Sequence, residues 1–108
     1  MKTGSVVSAA GLVDYQTGGV VSKTIVEKSA GTVTLFSFDQ DQGLSEHTAP
    51  FDALVYILEG TAEIRISGKP HTLHGGDLII MPAGEPHSLK ALARFKMMLT
   101  MIRTRTDP

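Results

Sequence analysis

Gly76-Asp77-Leu78-Ile79-Ile80-Met81-Pro82-Ala83-Gly84-Glu85-Pro86-His87-Ser88-Leu89-Lys90-Ala91-Leu92 reads as strand, tight turn and strand. Gly76-Asp77 turns the chain into the apolar run Leu78 to Met81, Pro82 and Gly84 supply turn chemistry, and His87 opens the next strand. The same texture extends outward on both sides. Upstream, Ala53 to Leu58 is an apolar strand, Glu59-Gly60 is read as its turn, and Ala62, Ile64 and Ile66 alternate with Glu63 and Arg65, so one face of that strand is buried. Ser67-Gly68-Lys69-Pro70 and His74-Gly75-Gly76-Asp77 read as further turns. Downstream, Phe95 to Ile102 closes the series.

Earlier still, Val20 to Val26 and Val33 to Phe38 are β-branched and aromatic runs separated by Ser29-Ala30-Gly31. About eight strands, spaced roughly 8 to 12 residues apart and with no amphipathic helix, predict an all-β sandwich or barrel of jelly-roll type. Residues 1–19 carry Gly4, Gly11, Gly18 and Gly19 with little periodicity and read as an arm ordered by packing on the barrel or on a second subunit; residues 20–108 form a single barrel domain. At 108 residues there is one core and no room for a second catalytic domain.

Composition narrows the function classes. Ten Lys and Arg against eleven Asp and Glu give a formal net charge of −1, without the basic excess that nucleic acid or an anionic membrane surface demands. With no cysteine there is no disulfide framework, thiolate metal site or thiol nucleophile. The start of the chain is too weakly apolar for a secretory signal, and no run approaches the roughly 18 apolar residues of a membrane span. The expectation is a cytoplasmic protein.

Two stretches resemble the paired signature motifs of the cupin superfamily. Gly76, five residues, Pro82-Ala83-Gly84, two residues and His87 follow the second motif, G-x5-P-x-G-x2-H, and depart only where Ala91 stands for the usual Asn. The first motif, G-x5-H-x-H-x3-4-E-x6-G, is matched in part: Gly60 ends it, Gly43 begins it at a shortened spacing, and His47-Thr48-Ala49 keeps the first histidine and loses the second. Ala53 stands where the family has its glutamate.

That resemblance implies a cupin β-barrel whose metal-bearing members hold a divalent ion with three histidines and a glutamate projecting inward. Here it implies His47 and His87 as the retained ligands of a degenerate site for a divalent transition metal, with water filling the shell. Strand alternation points Asp52, beside Ala53, and Glu46, beside His47, outward. Because Ala49, Ala53 and Ala91 are small and apolar, the barrel interior is expected to be roomy and dry, with Met97 and Met101 adding a flexible wall. The pocket residues are therefore His47, Ala49, Ala53, His87, Ala91, Met97 and Met101, taking a small organic molecule with one polar handle.

Other features have plainer readings. His71 and His74 are exposed loop histidines, and Tyr56 shares its parity with Leu54 and Leu58, as outer packing or a subunit contact. No nucleophile elbow or carboxylate pair supports serine or acid–base catalysis, so no catalytic residue is assigned. The leading expectation is a ligand-binding cupin, with a metal-dependent dioxygenase or isomerase using the same two histidines as the alternative. Small members of the superfamily commonly pair, so a homodimer is expected, with neither nucleic acid nor membrane as partner.

Overall fold

The computed structural model describes residues 3–103 and is built almost wholly of strands. A single 3-10 turn at Ala10–Leu12 precedes β1 (Val20–Lys28), β2 (Gly31–Phe38), β3 (Gly43–His47), β4 (Ala53–Ile66), β5 (Lys69–His74), β6 (Leu78–Met81) and β7 (His87–Ile102). All pairings are antiparallel, in the order β1-β2-β7-β4-β5, with β3 added on β7 and β6 on β4.

The two long central strands account for the barrel. The first half of β4 lies between β6 and the second half of β7, whereas its second half lies between β5 and the first half of β7. Both strands bend where these halves meet. The pairing slips between Ile57 and Glu59 and again between Gly60 and Ala62, two bulges that re-aim the chain. Gly60 is required at that bend: its φ is +90°, and a Cβ there would lie 1.8 Å from the Arg94 carbonyl oxygen.

The bend corrects two readings of the sequence. Glu59-Gly60 is not a hairpin turn but the interior of a 14-residue strand, and the runs His87 to Leu92 and Phe95 to Ile102 are one 16-residue strand. A bulge and a turn both favour a positive-φ glycine, so the local pattern is the same for either. Lys69-Pro70 also belongs to a strand. Pro70 is accommodated because β5 is an edge of the sheet and pairs on one side only. Seven strands thus replace the expected eight among the described residues.

One apolar core fills the space between the folded halves. Phe38, Val55, Ile57, Phe95 and Met97 come from one half, and Ala62, Ile64, Leu73, Leu89 and Ala91 from the other. Phe38 stacks on Phe95 with ring centroids 4.4 Å apart. Each of the larger side chains among them contributes about 1.5–3 kcal/mol of transfer free energy.

The arm packs on the outside of the sheet. Val13 is buried there, the Ser37 hydroxyl donates to the Asp14 carbonyl at 2.7 Å, and the Lys96 ammonium donates to the Ala10 carbonyl at 2.7 Å. Tyr15 donates its hydroxyl to Glu59 at 2.9 Å while Arg94 and Lys96 lie 5.2 and 4.9 Å from its ring centroid. Burial, then the Glu59 carboxylate, push the Tyr15 phenol above its ordinary pKa. At the arm's end, Asp39 accepts from the Gly18 amide and from Arg94, each at 2.7 Å, and these bonds hold its carboxyl down at about 2.

Candidate functional site

His87 is the first residue of β7, paired on one side with His47 of β3 and on the other with Ile66 of β4. The turn from Pro82 to Pro86 delivers it there. Gly84 takes φ +78°, its amide donates to the Ala49 carbonyl at 2.8 Å, and the Ala83 amide donates to the Asp52 carboxylate at 2.9 Å. These two bonds tie the turn to the segment running from His47 to Ala53, so both motifs converge on one end of the barrel.

His47 ends β3, after a pairing irregularity between Leu44 and His47, and is exposed, whereas His87 is only 3 % exposed. Their rings meet edge to face, with centroids 4.4 Å apart and an interplanar angle of 73°. The two Nε2 atoms are 3.1 Å apart. Each histidine uses its other nitrogen in the same way: Nδ1–H of His47 donates to the Ser45 carbonyl at 2.8 Å and Nδ1–H of His87 to the Glu85 carbonyl at 3.3 Å.

That arrangement fixes the chemistry of the free ends. A carbonyl oxygen only accepts, so its partner Nδ1 is assigned the proton, and a neutral ring then carries its lone pair at Nε2. Two lone pairs facing each other at 3.1 Å repel unless a proton or a cation lies between them. Burial, helped by the neighbouring His47 and opposed by the Glu85 carbonyl, lowers the pKa of His87 and favours its neutral, ligating form.

The pair satisfies half of a metal site. Two nitrogens bound to one ion at about 2.0–2.1 Å and nearly at right angles are separated by about 3 Å, which matches the observed spacing. Further protein ligands are not present. No group of three or more His, Cys, Asp or Glu side chains is placed to hold a metal among the described residues. Asp52 is exposed and engaged with the Ala83 amide, and Glu46 is exposed. An ion here would be held by His47 and His87 alone and would supply a Lewis acid at the barrel mouth.

The inner face of the sheet carries one continuous row: Thr32 pairs with Met101, Met101 with Ala53, and Ala53 with Met81. Met101 is half-buried, and the Thr32 hydroxyl is buried without a hydrogen-bond partner among the described residues. Ala49 is half-buried beside the turn that carries His87. Ala53, Ala91 and Met97 are 2, 0 and 1 % exposed. Those three are sealed into the core with Phe38 and Phe95.

Met81 was not among the residues singled out from the sequence. Its signal was its place just before Pro82 in an apolar run whose alternate members Leu78 and Ile80 are exposed while Met81 is buried. His71 and His74 lie in β5 rather than on turns, and His74 is exposed with Nδ1 3.3 Å from the Thr61 hydroxyl. Neither belongs to the pair.

Comparison with known proteins agrees with this fold. The model of the cupin domain family matches residues 34–103. No curated protein matches the chain. A conserved protein of unknown function from Streptococcus pyogenes superposes with a TM-score of 0.93 at 33 % identity, covering 98 % of this chain and 93 % of its own. A cupin superfamily protein from Desulfitobacterium hafniense gives 0.90 at 25 % identity, covering 96 and 95 % of the two chains. A cupin 2 conserved barrel domain protein from Leptotrichia buccalis gives 0.85 at 37 %, covering 87 % of this chain and 46 % of that one. With its second motif kept from Gly76 to His87, its first motif reduced to His47 and its strands wound into this barrel, the chain belongs to the cupin domain family.

Proposed function

We propose that this cupin binds a small organic acid at the mouth of its barrel, with the His47–His87 pair as polar anchor and a degenerate two-histidine metal site as part of that anchor. The observation that carries the reading is the 3.1 Å approach of two Nε2 atoms whose Nδ1 partners are both committed to backbone carbonyls. A proton or divalent ion held between them makes the pair cationic, and a carboxylate or similar anionic head complements it. Half-buried Ala49 and Met101 suit the carbon body. Solvent reaches the pair from the exposed His47 side.

Calorimetric titration with a panel of small carboxylic acids and matched neutral alcohols tests this. Binding of an acid by wild type and its loss in His47→Ala are expected; equal binding by both proteins contradicts the assigned anchor.

A second reading, a metal-dependent enzyme, is favoured by the spacing of the two imidazoles, which suits adjacent ligands of one ion. Elemental analysis after supplementation with Fe, Mn, Ni, Zn or Cu, followed by turnover assays of the loaded protein, separates the two. Near one ion per chain, lost in His87→Ala, together with metal-dependent turnover supports the enzyme; binding of an acid without turnover supports the binding protein. No helix among the described residues is long and apolar enough to cross a membrane.

A further inference from the structure

The face that carries the histidine pair continues onto the neighbouring strands. His87 pairs with His47 on one side and Ile66 on the other, and Ile66 pairs in turn with Lys69. Residues directly opposite one another in an antiparallel ladder project to the same face. On β5 that face is the inner one: Leu73, at the same parity as Lys69, is 4 % exposed and lies opposite Ala62 and then Ala91, both fully buried. His47, His87, Ile66 and Lys69 therefore form one cross-strand row, and it lies where the inner face meets solvent. His47 and Lys69 are exposed, and Ile66 is half-buried.

Two local features fix Lys69 in this row. Ser67 and Gly68 make a two-residue turn with both φ positive, 51° and 80°, so the hairpin closes with Ile66 and Lys69 as its first opposed pair. The turn is in turn tied to the segment that delivers His87, because the Ser67 amide donates to the Pro86 carbonyl at 2.8 Å. Lys69 thus belongs to a strand and not to the turn that Ser67-Gly68 and Pro70 suggest, and strand alternation gives it the inner face. Its ammonium takes part in neither of the ion pairs found among the described residues, Arg65–Glu63 and Arg94–Asp39.

We propose that Lys69 holds a second anionic group of the ligand, so that the site selects a dicarboxylic acid of about four to six carbons over a monocarboxylic one. The inference rests on the acid-binding reading of the His47–His87 pair. Strands about 4.8 Å apart put the Lys69 Cα roughly 12 Å from the middle of the pair, which lies between β3 and β7. A flexible four-carbon stem of roughly 6 Å lets the ammonium stand from about 6 to about 12 Å away. With one carboxylate on the imidazoles and one on the ammonium, each at about 2.8 Å, up to about 6 Å separates the two acid groups, the span of two to four methylenes. Ile66, between the two cationic ends of the row, is the apolar floor for those methylenes.

A lysine on an edge strand also serves to block strand addition, and β5 is an edge. That role alone gives Lys69 no influence on which acid is bound, so ligand preference tells the two apart. Calorimetric titration of wild type with succinate, glutarate and adipate, against butyrate, valerate and hexanoate, measures it. At least one diacid is expected to bind about fivefold tighter than the monoacid of equal carbon number, the worth of an exposed ion pair. Lys69→Gln is expected to bring that diacid down to the affinity of its monoacid, and Lys69→Arg to restore the margin.

Equal binding of diacids and monoacids by wild type, or a margin that survives in Lys69→Gln, overturns the proposal and leaves the histidine anchor standing, with Lys69 an edge lysine only. Binding of no acid by wild type, or acid binding indifferent to His47→Ala, overturns the anchor and this proposal together.

Discussion

His87 and His47 make the same local hydrogen bond, Nδ1–H to the carbonyl two residues back, yet one is sealed in the barrel wall and the other faces solvent. The difference lies in how each is delivered. The segment before His87 is fixed by Gly84 at positive φ and by bonds to Ala49 and Asp52, and His87 is then clasped between β3 and β4. The segment at His47 ends the short strand β3, past an irregular pairing, with only β7 beside it. One half of the site is part of the core, and the other half lies at its solvent-exposed edge. On the proposed reading, ligand enters from the His47 half.

This contrast is open to attack by substitution. The largest effect is expected from His87→Ala, which leaves a cavity in the wall and should cost about 2–4 kcal/mol. Chemical denaturation measures it, and a loss under 1 kcal/mol would remove His87 from the structural half. Gly84→Val comes next. No atom lies within 4 Å of a Cβ built there, so the cost is conformational, about 1–2 kcal/mol for a left-handed backbone. A thermal midpoint lowered by about 4–8 °C per kcal/mol is the readout.

A pH series sharpens the same comparison. Because the folded pKa of His87 lies below its ordinary 6.5, the unfolded chain binds a proton that the folded chain refuses in the window between the two values. Stability is therefore present above pH 6.5 and is lost as pH falls toward the folded pKa. Wild type minus His87→Gln isolates that slope, and identical pH profiles would show that burial does not hold His87 neutral. The smallest effect on stability is expected from His47→Ala, about 0.5 kcal/mol or less for an exposed side chain, although ligand binding should be lost. Stability and binding thus separate at His47 and fail together at His87.

The sequence was most legible where local chemistry and global fold agree. Gly76, Pro82, Gly84 and His87 each satisfy a turn or strand requirement that spacing alone expresses, and the all-β barrel follows from the strand texture around them. It was least legible where one residue type serves two purposes. Gly60 signals a turn and is a bulge that bends a continuous strand, because both need positive φ. Ala53 and Ala91 suggest an open interior, but how small residues pack depends on distant partners, and both are buried in one core with Phe38 and Phe95. Leu78 to Met81 is apolar throughout, which hides its two faces. Ile79 and Met81 turn inward, whereas Leu78 and Ile80 belong to the bare outer face.

The central claim is that the two Nε2 atoms act as one anchor, and long-range ¹H–¹⁵N NMR of the imidazole rings tests it most directly. Spectra of wild type are expected to show both rings protonated at Nδ1, with the two Nε2 resonances moving together as a bound organic acid or Zn²⁺ is titrated in. A ring protonated at Nε2 alone, or Nε2 signals that respond to neither ligand or at only one histidine, would contradict a shared site.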